Sequence, residues 1–271
     1  MMSKIEIAEQ EIHYTRCGSG ATLLMFPDHI HSSRSYQHEL DYFSQRYQVL
    51  SFDYPGTGKS TRVVKYDDER RYDLWEYWSD FGTHLLMELA ITECYVLGTG
   101  GGALAALHFA GSHAKMHGLR ALGIIADSFL ARWDGQAMHR QLNGRDHYYC
   151  RQAKSLQEQH GDDWQQVVDA DTAFLRVIAD QGGYEIPAFV LNSITCPVLL
   201  TGNLHDPMTP GIALEYARLA TIIPDCSIYL ASQSGHPYRE HPWMWSDPLT
   251  FRIISDAFLS KSTKSAPTQP G

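Results

Sequence analysis

The stretch that decides the fold is Cys94–Phe109, which reads CYVLGTGGGALAALHF. An apolar run at 95–97 leads into a cluster of glycines, and an Ala- and Leu-rich segment with helical spacing follows. These three patterns indicate a short buried strand, a tight turn and a helix. The stretch therefore predicts a strand–turn–helix unit of the kind from which parallel sheets are built.

The rest of the chain repeats this alternation of short apolar runs and helical segments. Residues 4–17 alternate polar and apolar side chains, as an antiparallel hairpin with one solvated face does. The sequence predicts an α/β fold with a mostly parallel central sheet and helices on both of its faces. Buried-type strands are predicted at 23–26, 47–52, 95–97, 119–126, 198–201 and 227–230.

The composition changes between residues 130 and 190. Apolar side chains become sparse there, and aromatic residues stand among charges at helical intervals. We interpret 130–190 as a helical cap inserted into an α/β core that consists of 1–129 and 191–260. The last residues, 261–271, are polar and rich in Ser, Thr and Pro, which predicts a disordered tail.

Composition and charge narrow the range of partners. The 271 residues are 44% hydrophobic and 20% charged, which provides enough apolar surface for a large core. The formal net charge of −9 disfavours nucleic acid and anionic membrane surfaces, because both attract basic faces. We therefore expect a small-molecule substrate, with neither nucleic acid nor membrane as a partner.

Cysteine usage and the N-terminus predict a cytoplasmic protein. The five cysteines are odd in number and widely spread, which favours reduced thiols over a disulfide framework. The first ten residues, MMSKIEIAEQ, contain no apolar signal segment. No run of the chain approaches the ~18 apolar residues that a membrane-spanning helix needs.

Polar and glycine residues directly after the predicted strands form the candidate site. In open α/β sheets, ligands bind at the carboxyl ends of the strands, so these positions should lie at one edge of the sheet. The candidate residues are Asp28, His29, Asp53, Gly100, Asp127, Asp206 and His236.

Four segments, spread over about residues 5–260, resemble the α/β-hydrolase superfamily and occur in its order. In that family the third segment is the nucleophile elbow, G-x-S-x-G, whose serine attacks the substrate. Here the elbow frame is intact, but Gly100 stands where the serine would be. The segments are FPDHI (26–30), DYPGTGKS (53–60), GTGGG (98–102), and GNLHDPMTP (202–210) together with SGHPYREHP (234–242).

The resemblance implies roles for the candidate residues. Asp206 corresponds to the acid and His236 to the base of a catalytic triad whose nucleophile position, Gly100, is vacant. Asp127 is a second candidate acid, because zearalenone-type lactonases, which share the Pro-Asp loop, place their acid after that strand. An oxyanion hole would use the N–H of Gly101 and an N–H near Asp28 or His29.

The sequence predicts no metal and no cofactor. His29 and His31 have a spacing that suits a metal ion, but no further group of ligands accompanies them. The segment Gly98–Ala103 satisfies the dinucleotide fingerprint G-x-G-x-x-A, although about ninety residues precede it and the fingerprint belongs on the first strand of its domain. A dinucleotide-binding protein is therefore an alternative interpretation.

The favoured function is an enzyme that acts on a small, apolar ester, lactone or related carbonyl substrate. His236, oriented by Asp206, would be its general base, and Gly100 provides no covalent nucleophile. The same pair would suit cofactor-free proton abstraction. Two further alternatives are a non-catalytic binding protein with this fold and a serine esterase or lactonase whose nucleophile has been replaced.

Overall fold

An eight-stranded mixed sheet forms the centre of the computed structural model, which describes residues 2–62, 74–232 and 241–264. Its order is β1-β2-β4-β3-β5-β6-β9-β10, and every pair from β4 to β10 is parallel. The strands are β1 (Met2–Ile7), β2 (Gln10–Cys17), β3 (Thr22–Phe26), β4 (Gln48–Phe52), β5 (Glu93–Thr99), β6 (Arg120–Asp127), β7 (Arg132–Asp134), β8 (Gly183–Glu185), β9 (Val198–Asn203) and β10 (Cys226–Ala231). Strands β7 and β8 pair with each other in a separate antiparallel sheet.

Helices connect the strands and cover both faces of the large sheet. They are α1 (Gln37–Phe43), α2 (Leu74–Glu88), α3 (Gly101–His108), α4 (Ala114–Met116), α5 (Gly135–Leu142), α6 (Arg145–Cys150), α7 (Ala153–His160), α8 (Trp164–Asp180), α9 (Ala188–Asn192), α10 (Ile212–Leu219), α11 (Trp243–Ser246) and α12 (Pro248–Lys264). The predicted fold class is thereby confirmed.

The first two strands form the hairpin that the sequence predicts. Strands β1 and β2 are antiparallel, and their two turn residues, Ala8 and Glu9, have φ angles of 50° and 62°. Two consecutive residues in the left-handed region suit the twist of a tight hairpin. Strand β2 is also antiparallel to β4, so the hairpin forms one edge of an otherwise parallel sheet.

Residues of β3 point alternately into two separate cores. Leu24 and Phe26 belong to the core that contains α2 and α3, whereas Leu23 and Met25 belong to the core that contains α1 and α12. Side chains of a strand alternate between the faces of the sheet, so an unbroken apolar run serves both cores. Burial on both faces fixes the carboxyl end of β3, where the candidate site begins.

The chain between β6 and β9 contains helices α5–α9 and the small sheet of β7 and β8. Helix α8 packs against α5 and α7, and its Asp171 contacts His29 in the loop after β3. Helices therefore occupy most of the segment that we interpret as a cap. That this cap is a domain bounded by residues 130 and 190 stays a prediction.

The C-terminal helix differs in length from the sequence prediction. Helix α12 continues to Lys264, past residue 261, where the sequence predicts that a disordered tail begins. Residues 265–271 lie outside the described residues. Within the described ranges, no helix is long and apolar enough to cross a membrane.

Candidate active site

The turn between β5 and α3 has a backbone conformation that only glycine adopts readily. Gly100 has φ 52° and ψ −122°, and its N–H donates to the carbonyl oxygen of Asp127 at 2.9 Å. A Cβ atom at Gly100 would lie 2.1 Å from Oδ1 of Asp28, well inside van der Waals contact. The Asp28 carboxylate therefore occupies the space that a side chain at position 100 would need.

The carboxylate of Asp28 lies where two backbone N–H groups converge. Its Oδ1 accepts hydrogen bonds from the N–H of His29 and the N–H of Gly101, both at 2.7 Å. The structure thus brings together the N–H groups of His29 and Gly101, the predicted oxyanion donors, and gives them the Asp28 side chain as acceptor. The N–H of Asp28 donates instead to the hydroxyl of Tyr36 at 3.0 Å, so the backbone of Asp28 is not a donor to the site.

His241 connects Asp28 to Asp206, which lies in the loop after β9. Nδ1 of His241 is 2.6 Å from Oδ2 of Asp206, and Nε2 of His241 is 3.6 Å from Oδ2 of Asp28. The side chain of Asp206 is fully buried, and its Oδ1 accepts the N–H of Met208 at 2.8 Å. Asp206 therefore orients the imidazole so that its other nitrogen faces the free oxygen of Asp28.

The predicted base, His236, lies outside the described residues, so its pairing with Asp206 stays a prediction. The imidazole that contacts Asp206 among the described residues is that of His241, which sequence reasoning missed. His241 belongs to the same segment, SGHPYREHP, which contains two histidines five positions apart. Both histidines precede a proline, so the local sequence contains no signal that favours His241 over His236.

Opposite charges stabilise the arrangement of Asp28, His241 and Asp206. Burial alone would lower the pKa of His241, but the carboxylates of Asp206 and Asp28 outweigh it and raise that pKa to about 10. Burial would raise the pKa of Asp28, yet the close positive charge of His241, with smaller contributions from His29 and His31, holds it well below its usual range. At neutral pH an imidazolium therefore lies between two carboxylates.

Asp127, the second candidate acid, lies at the end of β6 and has other partners. Its Oδ1 accepts from the hydroxyl of Thr201 at 2.7 Å, and its Oδ2 accepts from the N–H of Met244 at 3.1 Å. Burial raises the pKa of Asp127 to about 7, against the opposing effect of these hydrogen bonds. Asp127 thus connects the ends of β6 and β9 to α11, while Asp206 orients His241.

A buried polar network holds the loop after β3 against the helices between β6 and β9. Nδ1 of His29 is 3.0 Å from Oδ1 of Asp171, and Nε2 accepts the indole N–H of Trp75 at 3.2 Å. Asp171 also pairs with Arg145, whose charge outweighs the effect of burial and lowers the pKa of Asp171 to about 2. His29 therefore keeps one ring orientation, and its backbone N–H stays directed at Asp28.

Two cavities meet at His241. A cavity of about 350 Å³ has Asp28, Gly100, Gly101 and His241 at one end. A second cavity of about 1020 Å³, which contains charged side chains of α1, α7 and α12, shares His31, Arg151, His241 and Trp245 with it. The remaining wall of the first cavity is mainly apolar and includes Leu104, Phe129, Trp133, Met138, Leu175 and Trp245.

Packing accounts for the glycines of the dinucleotide-like fingerprint. A Cβ at Gly98 would lie 2.2 Å from the carbonyl oxygen of Gly102, and a Cβ at Gly102 would lie 2.1 Å from that of Phe26. The N–H of Gly101, where a phosphate would bind, already donates to Asp28. These contacts disfavour the dinucleotide interpretation. Among the described residues, no group of three or more His, Cys, Asp or Glu side chains is arranged to hold a metal ion.

Comparisons with known proteins identify the fold. No protein-family model and no curated protein sequence matches the chain. A bacterial membrane phospholipase A matches in structure with a TM-score of 0.74 and 15% identity, over 98% of this chain and 87% of that one. An alpha/beta hydrolase enzyme from a deep-sea metagenome library matches with a TM-score of 0.69 and 16% identity, over 99% of this chain and 100% of that one.

A third similar structure is an enzyme that degrades N-acyl homoserine lactones. It matches with a TM-score of 0.67 and 18% identity, over 94% of this chain and 100% of that one. Identities this low establish the fold and leave the activity open. The chain has the α/β-hydrolase fold.

Proposed function

We propose that this protein is a hydrolase for a small, mainly apolar substrate and that it works without an acyl-serine intermediate. The observation that carries the proposal is the line Asp28–His241–Asp206 at the end of an apolar cavity, beside two convergent backbone N–H groups. A carboxylate-oriented histidine is a proton-transfer group, and an apolar cavity of this size suits a small ligand.

Esters and lactones are the first substrates to test. The sequence resemblance implies them, and the similar structures include a phospholipase and a lactone-degrading enzyme. In such a reaction, negative charge develops on the carbonyl oxygen, which needs N–H donors in the transition state. Because Asp28 occupies the N–H groups of His29 and Gly101, a carbonyl substrate must displace its carboxylate or react without them.

Two alternatives remain as outcomes of the test. A non-catalytic binding protein would keep the cavity without turnover. A serine enzyme whose nucleophile has been replaced would regain activity when Gly100 is changed to serine, although a side chain there overlaps Asp28. The ionised carboxylate that faces an oriented histidine favours a reactive centre over both alternatives.

The test measures hydrolysis of a panel of esters, lactones and alkyl electrophiles by the unmodified protein and three variants. We expect turnover that His241→Gln lowers by roughly 10²–10⁴-fold, because the proton-transfer group is lost. His139→Gln is the matched control, since His139 is partly exposed and pairs with Asp180. His236→Gln tests the base that the sequence predicts.

A fluorophosphonate probe should leave the protein unlabelled, because no serine stands at the turn. Absence of turnover across the whole panel, together with binding of its members, would establish the binding-protein alternative. Equal activity of His241→Gln and His139→Gln would exclude His241 from the reaction.

A further inference from the structure

We propose that Asp28 is a covalent nucleophile and that the substrate is an alkyl electrophile, a saturated carbon that bears a leaving group, such as an epoxide or an alkyl halide. The inference rests on the proposed hydrolase function and names its substrate class. It follows from the position of Asp28 relative to Gly100, Gly101 and His241.

The two oxygens of Asp28 have different surroundings. Oδ1 is held by two N–H donors at 2.7 Å, whereas Oδ2 lies 3.6 Å from Nε2 of His241, beyond ordinary hydrogen-bond distance. Asp28 borders the apolar cavity, and its carboxylate occupies the space that a nucleophilic side chain at position 100 would fill. One oxygen is thus fixed by the backbone and the other is available to attack.

The occupied donors favour a saturated carbon over a carbonyl carbon. Attack on a carbonyl would place negative charge on a substrate oxygen, for which the N–H groups of His29 and Gly101 are not free. Displacement at a saturated carbon transfers charge from Oδ2 to the leaving group on the far side of that carbon. It therefore needs no donors at the Asp28 end of the cavity.

In the first step, an electron pair of Asp28 Oδ2 forms a bond to the saturated carbon, and the bond from that carbon to the leaving group breaks. A halide departs as the anion, while an epoxide oxygen becomes an alkoxide that takes up one proton. The indole N–H groups of Trp133 and Trp245 are buried, have no partner among the described residues, and belong to residues that line the cavity. They are unpaired donors on residues of the cavity wall, and a ring rotation would have to bring them to the leaving group because both atoms are shielded from solvent in this structure.

Alkylation converts Asp28 from a carboxylate into a neutral ester. Among the described residues, His241 then keeps only Asp206 as a facing carboxylate, so its pKa falls and it releases a proton. An epoxide oxygen takes up this proton, and water takes it up when the leaving group is a halide. Neutral His241 can accept a proton from water through Nε2.

In the second step, water attacks Cγ of the ester while His241 takes its proton. Negative charge develops on Oδ1, the oxygen already held by the N–H groups of His29 and Gly101. The Cγ–O bond to the substrate breaks, the leaving alkoxide takes the proton of the added hydroxyl, and the alcohol departs. Asp28 is again a carboxylate and His241 again an imidazolium. The net reaction adds one water to an epoxide, and it converts an alkyl halide and one water into an alcohol, a halide ion and a proton.

The test is a single turnover in water labelled with heavy oxygen, with the unmodified protein in excess over styrene oxide, bromobutane or nitrophenyl butyrate. We expect the epoxide or the halide to react, the label to appear in the peptide that contains Asp28, and the first product to be unlabelled. In His241→Gln the second step should slow by roughly 10²–10⁴-fold, so that an alkyl ester accumulates on Asp28.

The outcomes separate the inference from the proposed function. Label in the first product and none in the Asp28 peptide would mean direct attack by water, which overturns the inference and leaves a hydrolase. Hydrolysis of the butyrate ester alone would do the same. Absence of hydrolysis of all three compounds would overturn both proposals. The matched variant His139→Gln should accumulate no ester, and ester in that variant would exclude a role for His241.

Discussion

The ends of β3 and β6 each carry a buried aspartate, and the two residues differ in charge. Asp28 receives two backbone N–H bonds and faces the imidazole of His241, and its pKa is held well below the usual range. Asp127 receives one hydroxyl and one N–H, and burial raises its pKa to about 7. Burial at the same edge of the sheet therefore does not decide the charge of a carboxyl group; the facing imidazole does.

The first prediction, which has the largest expected effect, is that Asp28 is essential for turnover and Asp127 is not. Asp28→Asn should lower turnover by about 10⁴-fold or more, because an amide is a poor nucleophile and carries no charge for His241. Asp127→Asn should leave turnover within about threefold of the unmodified protein, since its partners, Thr201 and Met244, belong to the scaffold. Steady-state kinetics on the best substrate of the panel compares the two variants.

Equal losses in the two variants would contradict the comparison. Circular dichroism and thermal unfolding should first show that both variants are folded to the same extent. A loss of turnover then reports on the reaction and not on unfolding. The exposed substitution Asp180→Asn is a control for the removal of a carboxylate alone.

The second prediction concerns the charge on His241. Asp206→Asn removes its nearest carboxylate, so the pKa of His241 should fall from about 10 and turnover should fall by roughly 10²–10⁴-fold. Because the folded-state pKa is raised above the usual 6.5, the unmodified protein gains stability below pH 6.5 that is lost as the pH rises toward 10. This pH-dependent contribution should shrink in Asp206→Asn.

NMR titration of the His241 ring and chemical denaturation between pH 6 and pH 10 measure both effects. Asp127→Asn is the matched variant, and it should leave the titration of His241 nearly unchanged. A wild-type pKa for His241 in Asp206→Asn would mean that Asp28 alone holds the charge.

The third prediction concerns the space shared by Gly100 and Asp28. Gly100→Ser should lower the free energy of unfolding by about 2–5 kcal/mol, because the residue has φ 52° and the new Cβ would lie 2.1 Å from Oδ1 of Asp28. The double variant Gly100→Ser/Asp28→Gly removes the overlap and should regain part of this loss. Thermal unfolding of the single and double variants measures the difference.

Only the double variant should react with a fluorophosphonate probe, since its introduced serine has free N–H donors and His241 beside it. Labelling of the single variant Gly100→Ser at the introduced hydroxyl would mean that Asp28 leaves the site easily, which would contradict its fixed position.

Much of the fold could be predicted from the sequence because its signals are local. The apolar runs of β3, β4, β5, β6, β9 and β10 are bounded by turn residues, and they predicted these six strands to within a few residues. The short strands β7 and β8, inside the segment interpreted as a helical cap, were not predicted. Gly100 and Asp206 could be predicted for the same reason, since each closely follows a buried strand. His241 lies ten positions after the end of β10, and it carried no comparable local signal.

The role of Asp28 could not be predicted because it depends on contacts between distant parts of the chain. Its Oδ1 accepts from Gly101, 73 positions away, and its Oδ2 faces His241. The sequence showed a missing side chain at Gly100 but not which side chain fills the space. A single sequence gives the positions of the strand ends and not the distances between them.

The smallest expected effect is on the pH dependence of stability, and it tests the neutral state of Asp127. Because its folded-state pKa is raised from the usual 3.8 to about 7, the contribution of Asp127 to stability is fully present below pH 3.8 and is lost as the pH rises to 7. Asp127→Asn has no proton to lose, although its amide cannot accept from both Thr201 and Met244, which costs about 1 kcal/mol. The variant should therefore be less stable than the unmodified protein near pH 4, and its free energy of unfolding should rise by a few kcal/mol relative to that of the unmodified protein by pH 8.

Urea denaturation of both proteins at these two pH values measures the difference between their free energies of unfolding. The contributions of the other titrating groups are the same in both proteins and cancel in this difference. A constant difference would mean that Asp127 is charged throughout, and the contrast with Asp28 would then be lost.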